Sequence, residues 1–145
     1  MKKHTLFILL LLALLCLPAC SPNSEEESSM PSIAIQVGDQ TFTATLQDNA
    51  TAHALLEQLP MTVTMSELNG NEKYCYLDQS LPTQSVRPKD IHTGDLMLFG
   101  SDCLVLFYQD FSSGYSYTPL GQVNDPAGLS AALGRGNVQV SFRLA

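Results

Sequence analysis

Four tyrosines in two pairs, Tyr74 with Tyr76 and Tyr115 with Tyr117, are the residues of this chain best suited to chemistry. A spacing of two places each pair on one face of a strand. Polar-tipped aromatics on a strand surface can line a cleft, stacking a ring or a sugar while their hydroxyls orient it. Glu72, just before the first pair, adds a carboxylate to the candidate pocket. Met61 and Met65 offer adaptable apolar surface, and Ser113 sits in the small-residue loop Phe111-Ser112-Ser113-Gly114-Tyr115, whose backbone can approach a ligand. Met61, Met65, Glu72, Tyr74, Tyr76, Ser113, Tyr115 and Tyr117 are therefore the candidate ligand-binding residues. The ordinary alternative is cross-strand aromatic packing with the hydroxyls at the solvent edge.

Other chemistries find less support. Ser112 or Ser113 with Asp110 would need a histidine for hydrolysis, and His53 and His92 are distant in sequence, with no glycine-flanked serine elbow. Metal binding needs three or four convergent ligands at recognisable spacing, which the isolated His53 and His92 and the strand cysteines Cys75 and Cys103 do not offer, so no metal is expected. His92, in Asp90-Ile91-His92-Thr93-Gly94-Asp95, reads as a surface-loop histidine. Neither a glycine-rich phosphate loop nor a dinucleotide fingerprint occurs, and no cofactor is expected.

The elements that must position these residues are mostly strands. Ile33, Ile35 and Val37 alternate with smaller or polar residues, and after Gly38-Asp39 the residues Phe42, Ala44 and Leu46 alternate with threonines, predicting a hairpin with one buried face. Asp48-Asn49 caps a helix over Ala50 to Leu59 with Ala52, Leu55, Leu56 and Leu59 as its apolar stripe, ended by Pro60. His53 falls on or near its exposed side. Met61, Val63 and Met65 face one way on a third strand, and Asn69-Gly70 makes a tight hairpin turn into a strand over Lys73 to Leu77. A proline-bearing loop spans Leu81 to Gly94. Leu96 to Phe99 and Cys103 to Tyr108 are continuous apolar runs, as expected of strands buried on both sides. Tyr115 to Val123 forms a further strand, Asp125-Pro126 opens a short helix ending near Leu133-Gly134, and Val138, Val140 and Phe142 mark the last strand. The sum is a mainly β fold, a closed or nearly closed β-barrel of about eight strands with two short helices.

The formal charge is −7, and the five basic residues beyond Lys3 are scattered, so the attraction to phosphates that nucleic-acid binding requires is missing. At the N-terminus, Lys2 and Lys3 precede an apolar run from Leu6 to Leu17, and Leu17-Pro18-Ala19-Cys20 follows. This segment resembles the bacterial lipobox, in which the cysteine thiol is diacylated and the chain is cleaved before it. Residues 1–19 then form a lipoprotein signal peptide, Cys20 is the lipidation site, and residues 20–31 are a lipidated, disordered acidic tether. Pro18 interrupts the apolar run well short of the roughly 20 residues a spanning helix needs. Two or more acyl chains would hold the protein firmly on its bilayer. Removing residues 1–19 leaves five basic residues against 14 acidic ones, a charge of −9. The expected location is the bacterial cell envelope. In a Gram-negative host, Ser21 resembles the outer-membrane sorting preference, and Ser24-Glu25-Glu26-Glu27 the acidic tracts that direct export to the cell surface. Cys16 leaves with the signal, so Cys75 and Cys103 remain; the compartment permits a disulfide, but both read as small hydrophobes within strands.

Residues 32–145 resemble the bacterial cyclophilin-like fold family. The resemblance is carried by Asp48-Asn49-Ala50-Thr51-Ala52 before Leu55-Leu56-Glu57-Gln58-Leu59-Pro60, by Leu68 to Tyr74, by Gly94-Asp95-Leu96, and by Asp102 to Tyr108. Tyr115-Ser116-Tyr117-Thr118 and Leu120-Gly121 followed by Asp125-Pro126 extend it. It implies a small barrel with helices closing its ends. True cyclophilins carry an arginine, with phenylalanine and histidine close by on the same strand, to polarise the prolyl amide. This chain has no Phe-His-Arg segment, and its one Phe-Arg pair, Phe142-Arg143, lies in the final strand. The resemblance thus implies a binding module for a peptide segment or small molecule, with a divergent peptidyl-prolyl isomerase as the alternative.

Overall fold

The computed structural model describes residues 29–145. The signal sequence, Cys20 and the tether as far as Ser28 lie outside the described residues. The strand hairpin at the start is β1 (Ser32–Val37) and β2 (Gln40–Leu46), paired in register from Ser32 opposite Thr45 to Val37 opposite Gln40. Helix α1 (Ala50–Glu57) begins at Asn49, whose side-chain oxygen accepts a 2.8 Å bond from the Ala52 amide. The same side chain donates to the Pro119 carbonyl at 2.9 Å, tying the helix to the barrel. Its apolar face buries Ala52 and Leu55 in the core.

Strands β3 (Met61–Leu68) and β4 (Glu72–Tyr76) follow, then the short β5 (Asp90–Ile91), β6 (Asp95–Phe99), β7 (Cys103–Phe107) and the short β8 (Phe111–Ser112). The chain ends with β9 (Thr118–Val123), helix α2 (Leu129–Leu133) and β10 (Val138–Leu144). Eight strands close an antiparallel barrel in the order β1-β10-β3-β4-β7-β6-β9-β2, while β5 and β8 pair outside it. Closure leaves no barrel edge open for edge-to-edge aggregation. Where β2 meets β9, Gly121 allows the backbones to touch: a Cβ there would overlap the Thr45 carbonyl oxygen and lie 3.0 Å from the Leu46 Cα. Among the described residues no helix is long and apolar enough to cross a membrane.

Two separate apolar clusters explain the continuous hydrophobic runs of β6 and β7. Leu96, Leu98, Leu104 and Leu106 point into the barrel with Ile33, Ile35 and Phe142. Met97, Cys103, Val105 and Phe107 point outward, into a second cluster with Ile91 and Tyr117. The segment between β4 and β6 covers that outer cluster. It is pinned by reciprocal backbone bonds between Val86 and Tyr117 at 2.8 and 2.9 Å and by Leu81 N donating to Ser101 O at 2.7 Å. The loop predicted over Leu81 to Gly94 is thus a structured strap holding β5. Tyr115 to Tyr117, expected within a strand, instead form an irregular lead-in, and β9 starts at Thr118.

One end of the barrel is plugged by polar groups. Lys73 is fully buried, and its ammonium donates to Glu67 Oε2 at 2.5 Å, Gly136 O at 2.6 Å and Gly134 O at 2.9 Å. Tyr108 donates to the same carboxylate, and the Gly70 amide donates to its Oε1 at 2.9 Å. All three ammonium protons are used, which is the condition for burying a lysine.

Candidate functional site

The outer cluster forms the floor of a cavity of about 430 Å³ on the outside of the barrel. Its floor is Cys103 and Val105 of β7, one wall is Glu72, Tyr74 and Tyr76 of β4, and the other is the segment from Phe111 to Tyr117. Phe99, at the end of β6, and the β3–β4 turn close the remaining sides. Strand pairing explains the gathering: Glu72 stands opposite Phe107, Tyr74 opposite Val105, and Tyr76 opposite Cys103, so all six side chains share the outer face.

The aromatic rings brace one another edge to face. Tyr74 and Tyr76 have centroids 6.0 Å apart at 82°, and Phe99 meets Tyr115 at 6.0 Å and 89°. Phe107 meets Tyr117 at 5.5 Å and 87°. Tyr117 is buried and serves as structure, whereas Tyr76 and Tyr115 are 68% and 67% exposed. Six large hydrophobic side chains are exposed among the described residues, and four of them, Leu68, Tyr76, Phe99 and Tyr115, line this cavity. Concentration of exposed apolar surface around one concavity distinguishes an interaction site from scattered surface hydrophobes.

Glu72 is the charged residue of the cavity, and it is 8% exposed. Its carboxyl makes no hydrogen bond or ion pair among the described residues. Burial, with a contribution from the Glu67 charge, raises its pKa above the ordinary glutamate value. Asn71 lines the same cavity, and its Oδ1 is buried without a hydrogen-bond partner. Cys103 is a free thiol pushed up to about 11 by burial and by the Asp102 and Glu72 charges, which keeps it protonated and a poor nucleophile at neutral pH.

Six of the eight predicted site residues, Glu72, Tyr74, Tyr76, Ser113, Tyr115 and Tyr117, therefore come together. Met61 and Met65 do not: Met65 is fully buried in the barrel interior, and Met61 packs against the same core. The cause is one residue of register. A two-residue turn at Asn69-Gly70 would have set Met65 opposite Tyr74, but the connection uses residues 69–71, so Ser66 stands opposite Tyr74 and the methionines turn inward. Ser113 acts within the chain, its Oγ accepting a 3.1 Å bond from the Tyr115 amide and so shaping the cavity wall. Phe99, Leu68, Asn71 and Cys103 were not foreseen as lining residues, because their positions depend on strand pairings that the local pattern does not encode.

The remaining polar residues are engaged elsewhere. Asp110 accepts from the Thr93 amide at 2.6 Å and from Thr93 Oγ1 at 2.9 Å, bonds that hold its carboxyl below the usual range. His53 pairs with Asp48 at 2.7 Å on the exposed side of α1. Cys75 faces the barrel interior and Cys103 the cavity, so the wall of the barrel separates the two thiols, and both are free. No cluster of three or more His, Cys, Asp or Glu side chains able to hold a metal occurs among the described residues.

The barrel order and the site geometry can be set beside known proteins. A model of the cyclophilin-like family matches residues 35–143. The chain belongs to the cyclophilin-like family. Among solved structures, the solution structure of a hypothetical protein from Archaeoglobus fulgidus is similar, with a TM-score of 0.57 and 15% identity. The match covers 83% of this chain and 99% of that one. At that identity it speaks to the fold alone. No curated protein matches. In this cyclophilin-like barrel the cavity lies against the outer face of β4 and β7, with the interior filled by side chains.

Proposed function

We propose that the chain is a lipid-anchored envelope protein whose cyclophilin-like barrel is a non-catalytic binding module for a peptide segment or small molecule. The observation that carries this reading is the outer cavity of about 430 Å³, around which most of the exposed aromatic surface is gathered. That volume suits a small molecule or one or two peptide side chains. The anchor is the Cys20 lipid, and the envelope is the place of action.

The electrostatics of the cavity argue against catalysis of prolyl isomerisation. Lowering a barrier near 20 kcal/mol requires a donor aimed at the twisting amide. The residues lining the cavity include no arginine, lysine or histidine, and their one ionisable carboxyl, that of Glu72, is an acceptor when charged. A proline-bearing tetrapeptide assay with the full chain in detergent micelles should give the rate of buffer alone. A rate above buffer that is lost in cavity variants would establish the divergent isomerase instead. Binding is read by a thermal-shift panel of peptides, sugars and aromatic metabolites. A ligand at 100 times its Kd stabilises by about 2.7 kcal/mol, many degrees for a domain of this size. Hits abolished by Tyr74→Ala are the expected result; hits indifferent to cavity variants, or none at all, would refute the proposal.

A further inference from the structure

This inference rests on the binding reading above and names the chemistry of the ligand. One carboxylate lines the cavity, and the protein gives it no counter-charge. Glu72 as a residue is 8% exposed and lines the cavity, its carboxyl making no hydrogen bond or ion pair among the described residues, and the Oδ1 of the neighbouring Asn71 is buried without a partner. A largely buried carboxylate without a counter-charge gives up part of its hydration and gains nothing from the protein in return. The next residue in sequence cannot help. Lys73 points to the opposite face of the sheet, and its three protons are taken by Glu67 and the carbonyls of Gly134 and Gly136. The cavity that Glu72 lines is lined also by Tyr74, Tyr76, Phe99 and Tyr115, aromatic residues whose ring faces attract positive charge.

We infer that the cavity binds an organic cation, a primary ammonium or guanidinium group on an apolar body, with its nitrogen on the Glu72 carboxylate beside Asn71 and its carbon frame among the tyrosine and phenylalanine rings. The cation gives the largely buried carboxylate the counter-charge it lacks, and its N–H groups donate to the carboxylate oxygens. The same chemistry is presented by a free amine and by a lysine or arginine side chain of a peptide.

The test is a binding titration of the full chain in detergent micelles. The chain has no tryptophan and five tyrosines, four of which line the cavity, so tyrosine emission reports on the site. The probes are matched pairs: 2-phenylethylammonium against 2-phenylethanol for a free amine, and acetyl-lysine amide against acetyl-norleucine amide for a peptide side chain. In at least one pair the cation should bind ten times more tightly than its neutral twin or better, and the pair that discriminates identifies the source. Glu72→Gln should bring that ratio to near one, with Glu72→Asp restoring part of the preference. An unchanged thermal transition in Glu72→Asp guards against a folding defect. Equal affinity of cations and neutral twins, or a preference that survives Glu72→Gln, would overturn the inference while leaving the binding module standing. Failure of every probe to bind would overturn the inference, and the thermal-shift panel alone would then decide the binding module.

Discussion

Glu67 and Glu72 lie on neighbouring strands and opposite faces of the same sheet, and their titrations pull stability in opposite directions. Partial burial would raise Glu67, but bonds from Lys73, Tyr108 and the Gly70 amide outweigh it and hold the carboxyl below its ordinary value of 4.5. The stability that Glu67 contributes is present above that value and is lost as pH falls through the lowered folded pKa. Glu67→Gln should cost about 3 kcal/mol at neutral pH, because the buried Lys73 ammonium loses its counter-charge. Glu72 behaves in the opposite sense. Burial and the Glu67 charge raise its pKa, so the folded state is penalised above the ordinary glutamate value and gains stability as pH falls through the raised pKa. Glu72→Gln should therefore raise the thermal midpoint at neutral pH, with the gain vanishing in acid below 4.5; a loss of stability at pH 7 would contradict the unpaired state of this carboxyl. Cys103, raised to about 11, should react with iodoacetamide at pH 7.5 far more slowly in the native protein than after denaturation, as peptide mass spectrometry would record.

Elements were legible where a local signal determines them, and illegible where a pairing does. Asp48-Asn49 announced α1, and the side chain of Asn49 makes the cap; alternation marked both faces of β1 and β2. The β6 and β7 runs announced burial on both sides, and two clusters provide it. The face occupied by Met61 and Met65 was not readable, because it turned on whether the Asn69 hairpin spends two residues or three. Nor could sequence alone reveal β5 and β8, which at two residues each are set by the strap folding over Phe107 rather than by their own pattern. Two substitutions test this scale. Asn49→Ala should cost about 1 to 2 kcal/mol in chemical unfolding, since it removes a helix cap together with the bond to Pro119. Gly121→Ala forces β2 away from β9 where the barrel closes and should cost about 2 kcal/mol or more, with Gly114→Ala, which meets nothing within 4 Å, as the neutral control.

The molecule as a whole divides its labour between the two faces of one sheet. The interior is packed by apolar side chains and sealed at one end by the Lys73 network; the outer face of β4 and β7 carries the aromatic cavity. A site built on strands of a closed barrel is held in place by backbone pairing, which is the arrangement that preorganised binding requires. The measurement that tests this account most directly is ring-carbon NMR of the full chain labelled at tyrosine, titrated with 2-phenylethylammonium, 2-phenylethanol, acetyl-lysine amide and acetyl-norleucine amide. Tyr108 lies in the sealed barrel end, donating to Glu67, and serves as an internal control against the four cavity tyrosines. The account predicts that Tyr74, Tyr76, Tyr115 and Tyr117 shift with saturation while Tyr108 stays fixed. No saturable shift with any of the four probes, or one confined to Tyr108, would contradict it.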